Sequence, residues 1–437
     1  MDIKIRRLIY SFFILIFIIA APIVLLYTAG YRYNFQKHKT EQVGVLFINT
    51  LPKETQIYIN DNLADNNRPL RLANLRPNYY QVKVAKDGYY SWQKTLEVKS
   101  QASTLAFDIV LFKNQSPTII RKKNATTFSL SPNSESIALA DSEGVWFKNL
   151  SEENEKLIWS TDGDKIESLI WNNDSKHLLI KKSEQFFVLN INEKAPVSIN
   201  SFQPNLEQVI WGGNTTLYGL VNKKVLEISF KDKRAQTLSG GVDSFSFLDN
   251  NLYLTKNQLE KTAVYKYNSL NIFNNKLNTL ANLPTANYQF QQIKNNWLSL
   301  TDGQKIYLID LANANQNILT LNGSSSYWGE GSKNNYLYYS DKSELWIFDP
   351  EVKNSYMINR YENNINRLSP LYNIPYYALQ QGQDILLSEL DDRDQRQKIT
   401  VFQGHEVKDL QVDSSGKNIY FLDKLNSSYK LFKLVIQ

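Results

Sequence analysis

A phrase of short strands recurs about every forty residues between residues 117 and 437, and no other feature limits this chain's fold as strongly. One strand of the phrase reads GVWFKNL from Gly144, QFFVLNI from Gln185, KVLEISF from Lys224 and VYKYNSL from Val264. It continues as KIYLIDL from Lys305, ELWIFDP from Glu344, DILLSEL from Asp384 and YKLFKLV from Tyr429. A second strand stands a hairpin's length before each (SIALAD, HLLIKK, TLYGLV, NLYLTK, WLSLTD, YLYYSD, YYALQQ and IYFLDK). Before that, a third ends in a turn, as in SLSPNSE, IWNNDSK, IWGGNTT, YWGEGSK and QVDSSGK. Gly, Asn, Asp and Ser supply the backbone angles such turns need. Four short strands per forty residues is the period of a β-propeller blade. Eight copies predict eight blades, or seven if one copy is absorbed in a neighbour. The last copy holds three strands, and PTIIRK at residues 117–122 is placed to supply the fourth. That strand would join the ends of the ring and remove its exposed edges.

Composition excludes several kinds of chemistry. The 26 Tyr against 2 Met, with aromatics at 13%, favour strands joined by polar turns. There is no cysteine, which rules out disulfides, Cys-based zinc sites, thiol nucleophiles and a lipid-modified Cys. His38, His177 and His405 stand apart in the sequence, so His-based metal or triad chemistry is thinly supplied. The formal charge of +6 is modest, and Lys and Arg are scattered. Nucleic-acid binding therefore lacks the basic face it needs.

Residues 8–27 read LIYSFFILIFIIAAPIVLLY, without a charge. At about 1.5 Å per residue such a helix spans the roughly 30 Å hydrocarbon core of a bilayer. Lys4, Arg6 and Arg7 precede it and are expected to stay cytoplasmic. A cleaved signal peptide has a shorter apolar region, and the best cleavage site here, around Thr28-Ala29-Gly30, follows a core that is too long for one. Residues 8–29 are therefore expected to form a transmembrane signal anchor behind a basic cytoplasmic stretch at residues 1–7. Arg32, Lys37 and Lys39 nearly cancel the charge asymmetry, but long downstream domains translocate largely regardless of charge. The expected orientation is N-terminus inside and the bulk outside. Pro22 is tolerable in a membrane helix, and residues 30–42 read as a polar linker.

From residue 43 to residue 112 the period changes to that of strands: VGVLFINT, TQIYIN, YQVKVAK, KTLEVKS and LAFDIVLF, separated by turn residues. This predicts a small antiparallel β-sandwich. Between residues 44 and 111 the segment resembles the PEGA domain. Pro52-Lys53-Glu54-Thr55 keeps the proline of the naming motif and departs from it elsewhere, and Ile57-Tyr58-Ile59-Asn60-Asp61 fits the strand and polar turn after it. Arg68-Pro69, Leu75, Pro77-Asn78-Tyr79-Tyr80, Val82 and Val84 follow the family's next run, with Asn78 in place of glycine. The strongest match is Lys86-x-Gly88-Tyr89-x-x-Trp92-x-Lys94. The resemblance implies a non-catalytic bacterial or archaeal surface module fused to a larger extracytoplasmic domain. Tyr89 and Trp92 read as core packing beside a tight turn rather than as ligand-stacking residues. The loop Asp61-Asn62-Leu63-Ala64-Asp65-Asn66-Asn67 lacks the alternating ligands of a calcium cage and reads as a solvated turn.

In the repeats, Leu130-Ser131-Pro132-Asn133-Ser134 resembles the Ser-Pro-Asp-Gly-Lys turn of propellers such as that of the Tol-system periplasmic protein. Residues 172–176 and 413–417 echo it. No series of Trp-Asp dipeptides appears. Trp171, Trp211 and Trp328 occupy equivalent repeat positions, as do Trp146 and Trp346. Either set could stack sugars, but recurrence at the repeat period favours packing between sheets. Asp391-Asp392-Arg393-Asp394, followed by Arg396 and Lys398, is the densest charge run, and its mixed signs suit a solvated loop better than a cation cage. Glu330 and Asp341 can be nominated as a glycosidase pair, but nothing in the sequence places them at the needed separation, and His405 beside Glu406 has no Ser or Cys nucleophile framework.

No catalytic, cofactor-binding or metal-ligating residue is therefore expected. The chain reads as all-β after one N-terminal transmembrane helix: a sandwich at residues 43–112, then an eight- or seven-bladed propeller at residues 117–437. Its expected role is a non-catalytic, membrane-anchored cell-envelope protein whose propeller binds a protein or a polysaccharide. The alternative is a tethered extracytoplasmic enzyme acting on glycans or peptides from residues at the propeller mouth. Clustered carboxylates at that mouth would favour the enzyme.

Overall fold

The computed structural model describes residues 3–35, 38–64, 69–161, 163–193, 195–267, 277–313 and 318–437. Lys37, Arg68 and residues 65–67 of the acidic-amide loop lie outside the described residues. The chain divides into two compact units: Met1–Gln115 with Leu390–Gln397 and Gln437, and Ser116–Glu389 with Lys398–Ile436.

The first unit opens with helix α1, Ile3–Thr28, which holds Pro22. Over Ile5–Thr28 it is long and apolar enough to cross a membrane. Gly30 takes a φ of +83°, a left-handed turn that a Cβ would oppose, and it leads the chain off the helix. Residues 30–42 hold more structure than a linker. Strands β1 (Tyr31–Asn34) and β2 (Lys39–Gln42) pair antiparallel as a two-stranded sheet.

Seven more strands make the sandwich: β3 (Gly44–Leu51), β4 (Gln56–Ile59), β5 (Asn62–Leu63), β6 (Leu70–Leu75), β7 (Asn78–Ala85), β8 (Trp92–Val98) and β9 (Ser103–Val110). One sheet has the order β6-β3-β9 and the other β5-β4-β7-β8. Alternation sets the two faces, as in β8, where Trp92, Lys94, Leu96 and Val98 are buried and their neighbours exposed. Leu46, Ile48, Ile57, Val82, Val84 and Trp92 fill the core, with Tyr89 packed against it. One pair departs from the antiparallel expectation: β3 and β9 run parallel. The chain crosses to the opposite sheet between β8 and β9, and a crossover of that kind returns a strand in either direction.

In the second unit the described residues form eight four-stranded antiparallel sheets. The first is Thr127–Leu130, Ser136–Ala140, Gly144–Asn149 and Glu155–Ser160. The eighth takes Lys408–Val412, Asn418–Leu425 and Ser428–Val435, and its outermost strand is β10 (Thr118–Arg121), paired antiparallel with Ser428–Val435. First strands of neighbouring sheets lie against one another, and Lys408–Val412 returns to Thr127–Leu130, so they ring a common axis. This is a β-propeller. The second strands read as unbroken apolar runs because both of their faces are covered: Ser136–Ala140 and Trp297–Thr301 are buried at every residue. Each core cluster draws on two consecutive sheets, as when Ala138, Val145 and Ile158 meet Leu178, Ile180 and Leu189. Sheet-against-sheet burial of this kind holds the ring together.

Candidate functional site

The repeated tryptophans serve the joints between sheets. Trp171 donates from its indole Nε1 to the Ser129 carbonyl at 2.9 Å, and Trp211 does so to Ile170 at 3.0 Å. Each indole thus hydrogen-bonds the free backbone edge of the preceding inner strand while its ring packs in the core. Trp328 differs. Its backbone N–H donates to Gln292 Oε1 at 2.8 Å, and its buried Nε1 has no acceptor. Trp346 donates to Glu344 Oε2 at 3.1 Å, and Trp146 lies under the Arg121 guanidinium, 5.0 Å from its ring centroid.

The nominated catalytic groups do not come together. Glu330 follows the inner strand Ser325–Trp328, whereas Asp341 sits at the far hairpin of the next strand, opposite Glu344. Leu337–Asp341 alone separates them by about 13 Å, beyond the span of a glycosidase pair. His405 reaches Asp423 at 3.5 Å, but Asp423 is engaged by the backbone N–H groups of His405 and Glu406. Glu406 accepts from the Tyr429 hydroxyl and from Lys424 Nζ at 2.9 Å. His177 is paired with Asp174 at 2.6 Å, and His38 is exposed. Among the described residues no three His, Asp or Glu side chains gather as a metal site.

Asp392, Arg393 and Asp394 are exposed, as expected of a solvated loop, but the charge run at residues 391–394 is also tied down. It belongs to the first unit, where the fully buried Lys94 donates from Nζ to the carbonyls of Asp391 at 2.6 Å and Arg393 at 2.9 Å. The Thr95 N–H donates to Asp394 Oδ2 at 2.8 Å, and Arg393 donates to the Leu105 carbonyl at 2.6 Å while holding Asp391. Burial pushes the Asp391 carboxyl up, but hydrogen bonds from Arg393 and the charges of Lys94 and Arg393 more than offset this and leave it below its ordinary value. Nearby Arg396 approaches Asp392 at 3.7 Å, and Lys398 in the second unit lies over Tyr361.

Where the first-to-second-strand turns gather at one mouth of the ring, a cavity of about 530 Å³ opens. Ser131, Tyr327, Glu330, Arg367 and Tyr372 line it, together with Asp413. Asp413 is tied into its own turn, accepting from the Lys417 N–H at 2.8 Å and Asn418 Nδ2 at 2.6 Å. A second cavity of about 800 Å³ shares Gln292, Trp328 and Glu330 with it and adds Lys294. Burial pushes the Lys294 ammonium below its ordinary value, which Glu330 partly counters, and its Nζ donates to the Gly329 carbonyl. Arg367 stands apart from the other arginines of this unit. Arg121, Arg234 and Arg360 all have carboxylate partners, whereas Arg367 is exposed on an inner strand with no ion pair or side-chain hydrogen bond among the described residues. A signal for it existed in the sequence. Counting back from the turn, the equivalent register holds Thr127, Ser168, Gln208, Ser325 and Asp409, so Arg367 is the one cation among these six positions.

Residues 43–115 match the PEGA domain family. No curated protein matches the chain. Among solved structures, the C-terminal WD40 domain of Sif2 superposes with a TM-score of 0.53 at 12% identity, covering 74% of this chain and 98% of that one. The Dos1 propeller gives 0.51 at 8% identity over 75% and 96% of the two chains. A eukaryotic initiation factor structure gives 0.51 at 14% identity over 74% and 91%. At these identities the likeness is one of fold, and it arises without the Trp-Asp series. The chain thus carries a candidate membrane helix, a segment matching the PEGA domain and a β-propeller, parts that together support a binding scaffold.

Proposed function

We propose that this chain is a non-catalytic, membrane-anchored protein of the cell envelope. Its propeller engages a protein or polysaccharide partner at the mouth lined by Arg367, Tyr327 and Tyr372. The observation that carries this reading is the Arg367 guanidinium, without an ion pair among the described residues, in a cavity of about 530 Å³ that Tyr327 and Tyr372 also line. A guanidinium with five donors and no internal acceptor recognises carboxylates or phosphates on a partner. The same mouth argues against hydrolysis. Of its two carboxylates, Glu330 and Asp413, the latter is tied to its own turn, whereas glycoside cleavage uses a pair of available acids.

The test is retention of candidate envelope proteins and polysaccharides by the full chain, reconstituted in lipid nanodiscs. A partner retained by the natural chain and lost by Arg367→Ala supports the reading. Shortening of a retained glycan would replace the scaffold with an enzyme. Protease shaving of intact cells tests the outward orientation: the residues beyond Lys39 should be cleaved while a cytoplasmic marker stays intact.

A further inference from the structure

The β1–β2 hairpin has two unlike faces. Arg32, Asn34, Lys39 and Glu41 share one, since the register pairs Arg32 with Glu41 and Asn34 with Lys39. That face is internally satisfied: Asn34 Nδ2 donates to Glu41 Oε2 at 2.9 Å, and Lys39 pairs with Glu41 at 3.5 Å. Arg32 donates to Asn74 Oδ1 at 3.0 Å and so links the hairpin to the sandwich. Tyr31, Tyr33 and Phe35 share the other face, with Thr40 and Gln42 opposite Tyr33 and Tyr31. Tyr33 is 45% exposed and Phe35 75% exposed, and the two rings meet edge-to-face at 5.0 Å.

Two further observations say what covers that face. A lone two-stranded hairpin is marginal in water, and this one pairs with no other strand among the described residues. The hairpin also begins three residues after the end of α1. Arg32 turns back onto the helix end, donating to the Tyr27 carbonyl at 2.7 Å with its guanidinium 3.6 Å from the Tyr27 ring centroid. An aromatic face with an adjacent cation, continuous with an apolar helix end, matches the chemistry of the boundary between acyl chains and headgroups. We infer that the Tyr31–Tyr33–Phe35 face lies in that boundary as a second membrane contact, which holds the sandwich against the bilayer surface. This rests on α1 crossing the membrane.

The absence of cysteine makes the test clean, because a single introduced thiol can be spin-labelled on the full chain in phosphatidylcholine–phosphatidylglycerol vesicles. Labels at Leu15→Cys, Phe35→Cys, Thr40→Cys and Lys39→Cys are compared with the fully exposed Leu259→Cys for collision with oxygen, which partitions into lipid, and with a water-soluble nickel chelate. Leu15 should read as bilayer interior. Phe35 and Thr40 should show an oxygen-to-nickel ratio several-fold above that of Leu259, with Lys39 on the opposite face lower than either. Phe35 and Thr40 as aqueous as Leu259, with Leu15 deep, would overturn the interfacial hairpin and leave the anchor intact. An aqueous Leu15 would overturn the anchor and this inference together.

Discussion

Two joints of the same ring are built by different means. Between the first and second sheets the contact is mainly apolar, with Ala138, Val145 and Ile158 against Leu178 and Ile180, plus an indole bond from Trp171 to the Ser129 carbonyl and a turn-to-turn bond from the Asn133 N–H to Ser175 Oγ. Between the eighth and first sheets, apolar packing of Ile137 and Leu139 against Tyr420 and Leu431 is joined by charge. Arg121 at the end of β10, its side chain fully buried, pairs with Asp141 and approaches Glu155 at 2.7 Å. Gln411 doubles the closure, accepting from the Leu130 N–H at 2.9 Å and donating to the Phe128 carbonyl at 3.1 Å. Lys408 adds a bond to the Thr126 carbonyl at 3.0 Å. The first joint connects neighbours in sequence, so the short chain between them already limits which sheets can meet. The closing joint brings together segments about 300 residues apart, where packing alone accepts slipped registers and directional polar contacts do not.

That contrast can be broken most directly at Arg121. Arg121→Ala should cost about 3–5 kcal/mol in denaturant unfolding of the full chain, because Asp141 and Glu155 lose their buried cation. Arg121→Met sharpens the point. Nη1 meets Glu155 off the line of a good hydrogen bond, and Nε has no acceptor, so the cation is imperfectly satisfied. If Met combined with Asp141→Asn and Glu155→Gln unfolds at the natural denaturant midpoint, charge at this joint serves register rather than stability.

Gln411→Ala comes next, at about 1–3 kcal/mol, because it strands an N–H and a carbonyl of the first inner strand. Trp171→Phe at the ordinary joint should lose less, about 0.5–1.5 kcal/mol, since apolar packing remains and one hydrogen bond goes. A loss there equal to that of Arg121→Ala would erase the distinction between the joints.

The smallest effect is ionic and belongs to the closing joint. The Glu406 carboxylate beside the Tyr429 hydroxyl pushes that phenol up to about 12. A folded value raised above the unfolded one contributes stability below pH 10 that is lost as pH rises through about 12. Burial also holds Tyr288, Tyr338, Tyr377 and Tyr420 above the ordinary phenol value, so absorbance titration of the tyrosines should show one fewer late-ionising group in Glu406→Gln than in the natural chain.

Legibility in the sequence followed the range of the contacts. The strands of each repeat were readable because alternation and turn residues act within ten residues, and PTIIRK was recognisable as the closing strand because the last copy was one strand short. Trp92 and Tyr89 were readable as packing for the same local reason. The short β5, the strand β6 and the hairpin at residues 31–42 were missed, since polar residues such as Arg71, Asn74 and Glu41 dilute their alternation. The parallel β3–β9 pair was missed because direction is set by a crossover rather than by either strand. Arg367 was legible in the sequence only as a cation at a repeat position that Thr127, Ser168, Gln208 and Ser325 leave uncharged, and its want of a carboxylate partner among the described residues appears only in the tertiary structure.

The sequence by itself determined that this chain has one helix suited to a bilayer, a small β-domain and a ring of repeated sheets, because each rests on periodicity within a few tens of residues. The tertiary structure alone decided that residues 391–394 answer to Lys94 and Thr95, that Arg121 meets Asp141 and Glu155, and that one mouth holds an unanswered guanidinium. Those are contacts between residues far apart along the chain, and neither hydropathy nor spacing encodes which distant group a side chain will face.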